Sequence, residues 1–104
     1  MTSSRLDALR AMVAKNPGNL AARFGLANEA VKAGALEEAL EHYRGYLAGH
    51  EDEGNGWARL AQVLDRLGRG DEAREARRRG IEAAYRHGHP SLAAELEELD
   101  ADRG

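Results

Sequence analysis

The chain repeats itself at an interval of 34 residues, and this interval limits the folds that it can adopt. Identical residues recur one interval later: Leu26, Ala27, Gly34, Glu38 and Ala39 match Leu60, Ala61, Gly68, Glu72 and Ala73. A fixed interval of about 20–50 residues is typical of proteins built from stacked structural units, in which each unit buries its apolar face against its neighbours. The sequence therefore predicts a repeat protein.

The apolar residues within each repeat recur at helical spacing. Trp57, Leu60, Ala61 and Leu64 occupy positions i, i+3, i+4 and i+7, which predicts that they share the inward face of an α-helix. The same spacing along the chain predicts six helices, over residues 5–15, 20–33, 36–47, 56–67, 71–87 and 91–100. No segment alternates apolar and polar residues as a strand does, so the sequence predicts an all-α protein.

Cap and turn residues mark the ends of these helices. Thr2 to Ser4 are expected to cap the first helix, whose apolar face includes Met12, and Asn19 is expected to cap the second. Gly68 follows the last turn of the fourth helix, where a glycine is favoured. Pro90 suits the first turn of the last helix.

The composition argues against several classes of function. The net charge of −3 and the pI near 5.8 argue against a general nucleic-acid binder, which usually carries a basic surface. The chain has no cysteine, which excludes disulfides and thiolate metal sites. No apolar run is long enough for a signal peptide or a transmembrane helix, so we expect a soluble cytoplasmic protein that makes no membrane contact.

Charged and titratable residues cluster in three places, and a structural role is expected for each. The arginines between Arg74 and Arg86 have acidic neighbours four residues away and are expected to form a salt-bridged outer face. The acidic segment 51–53 lacks the spacing of a calcium loop and is expected to be solvated. His87 and His89 flank a helix end, where a positive charge is favourable. No nucleophile motif or phosphate loop is present, so the sequence predicts no enzyme, no metal and no cofactor.

The repeat resembles the tetratricopeptide repeat, a helix–turn–helix unit of about 34 residues with the pattern W-x2-L-G-x2-Y, A-x3-F and P. In the second repeat the matching residues are Trp57, Leu60, Ala61, Leu64 and Ala73. In the first repeat they are Leu26, Ala27, Ala30, Ala39 and Tyr43, preceded by Pro17 in the place of the closing proline. The chain is similar to a small, bacterial-type member of this family.

This resemblance implies a right-handed helix–turn–helix solenoid in a single domain, residues 1–104. It assigns a half-unit helix to residues 5–18, a first repeat to 20–53, a second repeat to 54–87 and a capping helix to 90–100. Several residues depart from the pattern. Arg23 stands where Trp57 stands one interval later, and Leu92, Leu96 and Leu99 are shifted from the repeat register. Arg77 stands where the pattern has an aromatic residue, and Gly80 is expected to permit close contact between helices.

In the proteins that this chain resembles, the first helix of each repeat lines a concave groove that holds a peptide or a helix of a partner. Carried over by position, the groove residues are Phe24, Asn28, Val31 and Lys32 in the first repeat and Asn55, Arg59, Gln62 and Arg66 in the second. The carboxylate-clamp version of this groove needs lysine where Phe24 stands. The resemblance therefore favours a partly apolar ligand over Phe24 and Val31, with an acidic contact at Arg59.

Three alternatives stay open at this point. The polar groove residues can be ordinary solvated side chains without a ligand. Another copy of the chain can cover the exposed end of the solenoid, which would make the protein a homo-oligomer. The arginines between Arg74 and Arg86 can bind nucleic acid, although the net charge argues against it.

Overall fold

The computed structural model describes residues 4–102, and these residues form six α-helices. The helices are α1 Ser4–Lys15, α2 Leu20–Lys32, α3 Leu36–Gly49, α4 Asn55–Arg66, α5 Gly70–Arg86 and α6 Pro90–Asp102. No strand occurs between residues 4 and 102, so the prediction of an all-α protein is confirmed. Every predicted helix is found, with ends that differ by at most two residues.

The chain divides into two compact units, residues 1–50 with α1 to α3 and residues 51–104 with α4 to α6. In the N-terminal unit, α2 packs against α3 and against α1. In the C-terminal unit, α5 packs against α4 and against α6. Each unit is therefore a helical hairpin with a third helix packed on one of its arms.

The alanines of the repeat pattern lie at the helix contacts. Ala27 and Ala39 are each 0% exposed in the N-terminal unit, and their equivalents Ala61 and Ala73 are 2% and 0% exposed in the C-terminal unit. Because a methyl group is small, the paired helices can approach each other closely. The larger side chains that fill the core beside these alanines are Leu26, Leu40, Tyr43, Leu60 and Leu64.

Both helical hairpins turn at the glycines of the repeat. Gly34 and Gly68 have φ values of 78° and 74°, in the left-handed region that glycine adopts at little cost. After α4, the Gly68 N–H donates to the Asp65 carbonyl at 3.0 Å and the Arg69 N–H donates to the Leu64 carbonyl at 2.8 Å. This is the Schellman arrangement, which satisfies the last carbonyls of a helix. The predicted glycine ends are confirmed.

Two of the three predicted helix starts are also found. The Asn19 side chain accepts a hydrogen bond from the Ala22 N–H at 3.1 Å, as a cap of α2 does. Pro90 is the first residue of α6. The expected cap of α1 includes Thr2 and Ser3, which lie outside the described residues.

The start of α4 is organised by an acidic residue. Asp52 is 4% exposed, and its carboxylate accepts hydrogen bonds from the N–H groups of Gly54 and Gly56, each at 2.8 Å. The expectation of a solvated segment 51–53 is therefore wrong for Asp52. Its charge is satisfied by free backbone donors at a helix N-terminus, where negative charge is favourable.

Two large apolar side chains are less buried than their helical spacing suggests. Met12 is 49% exposed on α1, whereas Leu6 and Val13 are buried. Trp57 is half-buried, and the Arg79 guanidinium carbon lies 5.4 Å from its ring centroid. Met12 is therefore not part of the core that Leu6 and Val13 help to form. Trp57 is only partly a core residue, and the Arg79 guanidinium lies over its ring.

Candidate functional site

The predicted groove residues of the N-terminal unit lie on α2, and two of them contact α3. Phe24 is half-buried, and its ring centroid lies 5.8 Å from that of Tyr43 and 4.6 Å from that of Tyr46. The Asn28 side-chain oxygen accepts a hydrogen bond from the Tyr43 hydroxyl. Phe24 and Asn28 therefore help to hold α2 against α3.

Val31 and Lys32 lie at the end of α2. Val31 is half-buried and Lys32 is exposed. The Lys32 ammonium group is 3.3 Å from the Glu29 carboxylate, which also pairs with Arg5 at 2.9 Å. Exposed ion pairs contribute little free energy, so the pair with Glu29 opposes a new contact of Lys32 only weakly.

In the C-terminal unit, α4 places four predicted residues on one face. Asn55, Arg59, Gln62 and Arg66 occupy positions i, i+4, i+7 and i+11. The last three are exposed, and Asn55 is half-buried as the first residue of the helix. The buried face of α4 packs against α5 and fixes the direction in which this polar face points.

Gln62 also lines a cavity of about 100 Å³ formed by α4, α5 and α6. We call it the α4–α6 slot; beside Asp65, its lining residues are Ala58, Ala61, Gln62, Arg77, Leu96 and Leu99. Ala61 and Leu96 are each 2% exposed, whereas Gln62 and Leu99 are exposed. The slot therefore has buried apolar walls and reaches the surface beside the polar face of α4.

Arg77 contributes a buried charge to this slot. Its Nη1 lies 2.9 Å from Asp65 Oδ2 on α4, and its Nε lies 3.0 Å from Asp100 Oδ1 on α6. The residue is 2% exposed, so its placement on a salt-bridged outer face is wrong. The repeat carried the signal for burial, because Tyr43, one interval earlier, is 1% exposed.

The neighbouring arginines are exposed, as expected. Arg78 donates hydrogen bonds to Glu75 and Glu82, and Arg79 Nε lies 3.4 Å from Glu75 Oε1. The hydrogen bond from Arg78 holds the pKa of Glu75 below its usual value. These residues form the predicted ion-paired face of α5.

A second cavity, of about 430 Å³, shares Asp65 and Arg77 with the α4–α6 slot. The other residues that line it are Gly70, Asp71 and Arg74. Its charged groups comprise two carboxylates and two guanidinium groups, which can neutralise one another, and none of its lining residues has an apolar side chain. It is larger than the slot, and its lining is dominated by charged side chains.

A two-point ion pair connects α1 to α3 in the N-terminal unit. Arg10 Nη2 donates to Glu38 Oε1 at 2.7 Å, and Arg10 Nε donates to Glu38 Oε2 at 2.9 Å. These hydrogen bonds hold the pKa of Glu38 below its ordinary value. Burial lowers the pKa of His42, which lies one turn further along α3.

Within residues 4–102, no group of three or more histidine or acidic side chains is placed to bind a metal ion. His87 is the C-cap of α5, and its Nε2 lies 3.8 Å from Glu51 Oε1. None of the helices in this described range has the length and apolar character needed to cross a membrane.

Comparison with known proteins gives one family match. A protein-family model described as tetratricopeptide repeat matches residues 1–84, a range that runs from the N-terminus into the last turn of α5. No curated protein matches the chain.

Proposed function

The chain belongs to the tetratricopeptide repeat family, a family of protein–protein interaction modules, and we propose that it binds a peptide or a helix of a partner along the exposed face of α4. The proposed contacts in the C-terminal unit are Asn55, Arg59, Gln62 and Arg66. Those in the N-terminal unit are Phe24, Asn28, Val31 and Lys32. The family is typically non-catalytic, and we propose no enzymatic role for this chain.

The observation that carries the proposal is the composition of the α4 face. Arg59 and Arg66 are exposed guanidinium groups, which bind carboxylates through two parallel hydrogen bonds. Gln62 lies between them and can both donate to and accept from a peptide backbone. This face also borders the α4–α6 slot, whose walls include the buried apolar side chains of Ala61 and Leu96. This combination supports ligand binding over simple solvation.

In the N-terminal unit, α2 supports a partly apolar ligand. Phe24 and Val31 are half-buried and keep part of their surface accessible. Asn28 is held by Tyr43, which fixes the orientation of its side chain for a ligand contact. Lys32 adds an exposed positive charge at the end of the helix.

The experiment is a selection of short random peptides, displayed on phage, against the immobilised full chain. Enriched peptides are synthesised, and their Kd values are measured by fluorescence anisotropy for the wild type and for an Arg59→Ala/Gln62→Ala double variant. A hydrogen bond to a charged group contributes about 1.5–3 kcal/mol, so the double variant is expected to bind at least about tenfold more weakly.

A Glu75→Ala/Arg78→Ala double variant is the matched control, because it removes an exposed arginine and a polar residue three positions away from the outer face of α5. The control is expected to bind the peptides like the wild type. Equal Kd values for all three proteins would remove the α4 face from the site. Circular dichroism melting curves show whether each variant is folded.

Self-association is a second candidate function, and the exposure of Met12 favours it. Met12 is 49% exposed, whereas Gly80, two intervals later on α5, is buried. A second copy that covers α1 would bury this side chain. Sedimentation velocity over a range of concentrations tests the idea, with Met12→Lys as the variant expected to dissociate the oligomer. A monomer at high concentration contradicts it.

A further inference from the structure

The two units fill equivalent positions in opposite ways. In the N-terminal unit, the space between α2 and α3 is occupied by Phe24, Tyr43 and Tyr46, whose rings are in contact. The residues one interval later are Ala58, Arg77 and Gly80. Three aromatic side chains are thus replaced by a methyl group, a guanidinium group and a hydrogen atom.

Part of the space left in the C-terminal unit is taken by α6. A Cβ atom placed on Gly80 would lie 3.0 Å from Leu96 Cδ1, which shows how closely α6 approaches α5 at this point. Asp100 of α6 binds Arg77. The remainder of the space is the α4–α6 slot, with a volume of about 100 Å³.

The size and the walls of the slot suit an aliphatic side chain. An apolar cavity of about 150 Å³ holds a benzene molecule, so a slot of 100 Å³ is large enough for the side chain of leucine, isoleucine or methionine and too small for tryptophan. Ala61 and Leu96 supply buried apolar walls. The positive charge of Arg77 is compensated by ion pairs with Asp65 and Asp100, so a ligand in the slot needs no negative charge.

The two edges of the slot carry opposite charge. On α4, Arg59 and Arg66 lie three residues before and four residues after Gln62, so they flank it on the same helix face. On α6, Glu95 and Asp102 flank the rim residue Leu99 in the same manner, and all three are exposed. The sequence of α6 contains five carboxylates and no basic residue. The slot therefore lies between a basic edge and an acidic edge.

We propose that the α4–α6 slot receives an aliphatic side chain of the partner, with an acidic partner residue facing α4 and a basic partner residue facing α6. The inference rests on the proposed function and specifies the chemistry of the ligand. Burial of the aliphatic side chain supplies affinity, since each buried apolar group contributes in proportion to its area. The two charged edges fix the direction in which the segment lies, because reversal would bring like charges together.

The peptide selection tests this inference with three further proteins. Ala58→Leu fills the slot and is expected to bind the wild-type peptides at least about tenfold more weakly. Glu95→Lys reverses the charge at the α6 edge and is expected to change the selected residue beside the aliphatic position from basic to acidic. Glu41→Lys, at an exposed site of α3, is the charge-matched control and is expected to select the wild-type pattern.

Each outcome has a defined meaning. The proposed binding of an aliphatic side chain in the slot is rejected if the enriched peptides share no aliphatic position. It is also rejected if the Ala58→Leu variant melts cooperatively and binds the peptides with an unchanged Kd. If Arg59→Ala still weakens such peptides, the proposed function stands and the slot alone is rejected. If no peptide is enriched on the wild type, both are contradicted. Should Ala58→Leu not fold, Leu99→Ala replaces it, with an expected loss of about threefold in affinity, and an unchanged Kd overturns the slot.

Discussion

Replacing Arg77 with alanine is expected to destabilise the C-terminal unit by about 3 kcal/mol. The side chain is 3% exposed, and the change removes its ion pairs with Asp65 at 2.9 Å and with Asp100 at 3.0 Å together. Removing one partner of a buried ion pair costs about 3–5 kcal/mol, because a charge is left without compensation. The lower end applies here, since the Asp65 and Asp100 side chains are 22% and 35% exposed and water can solvate them in part.

The free energy of unfolding is measured by urea denaturation. Trp57 is the single tryptophan of the chain and lies in the C-terminal unit, so its fluorescence follows that unit. Arg77→Lys keeps the charge but loses the planar fork that reaches both carboxylates, and it is expected to recover only part of the loss. Arg78→Ala is the matched control, since its side chain is 57% exposed and its removal is expected to leave the unfolding midpoint nearly unchanged.

A loss below about 1 kcal/mol for Arg77→Ala would contradict a stabilising role of the two ion pairs, because the buried guanidinium would then add no more than an exposed one does. Equal losses for Arg77→Ala and Arg78→Ala would refute it as well.

Three further changes probe the cap, the helix contact and one ion pair. Asp52→Ala is expected to cost about 1–2 kcal/mol in urea denaturation, because two N–H groups at the start of α4 lose their acceptor, and an unchanged midpoint contradicts the cap. Gly80→Ala is expected to cost about 1–3 kcal/mol despite the helix propensity of alanine, because its Cβ would meet Leu96 at 3.0 Å; a raised melting temperature contradicts this. The stability from the Arg10–Glu38 pair is expected to be complete above the ordinary pKa of 4.5 and to be lost as the pH falls through the lower pKa of the folded protein. Glu38→Gln removes this acid sensitivity, and acid unfolding curves that coincide for the variant and the wild type exclude the effect.

The helices and their turns could be predicted from the sequence because they depend on local patterns. Apolar residues at helical spacing, an Asn19 cap and the glycines after two helices determine where each helix begins and ends. The repeat interval added information that no single helix contains. It placed Ala27, Ala39 and their equivalents at the helix contacts, where the structure has them.

The repeat indicated that position 77 is buried, but the groups that compensate the two buried charges could not be predicted from local patterns. A charged residue in a polar segment is normally solvated, and Arg77 and Asp52 are exceptions because of groups that are distant in sequence or belong to the backbone. Arg77 is paired with Asp100, which lies 23 residues later on a helix that does not follow the repeat register. The Asp52 carboxylate accepts hydrogen bonds from the backbone N–H groups of Gly54 and Gly56. Because nearly every residue has a backbone N–H, the sequence does not indicate which of these groups a carboxylate will contact.

The candidate site shows the same division. The alignment of Asn55, Arg59, Gln62 and Arg66 on one face follows from their spacing alone. The α4–α6 slot depends on how Leu96 and Leu99 pack over α5, and no spacing within α4 contains that information. For α2, the spacing could not show that the Asn28 side-chain oxygen accepts a hydrogen bond from the Tyr43 hydroxyl.

Binding of a partner segment on the face of α4 can be located by NMR, through mapping of backbone amide chemical shifts. The measurement is a titration of the labelled full chain with one enriched peptide, after assignment of its spectrum. The largest shifts are expected to cluster on α4 around Arg59 and Gln62 and on α6 around Leu99. Shifts confined to the outer face of α5 around Arg78, with α4 unchanged, would contradict it.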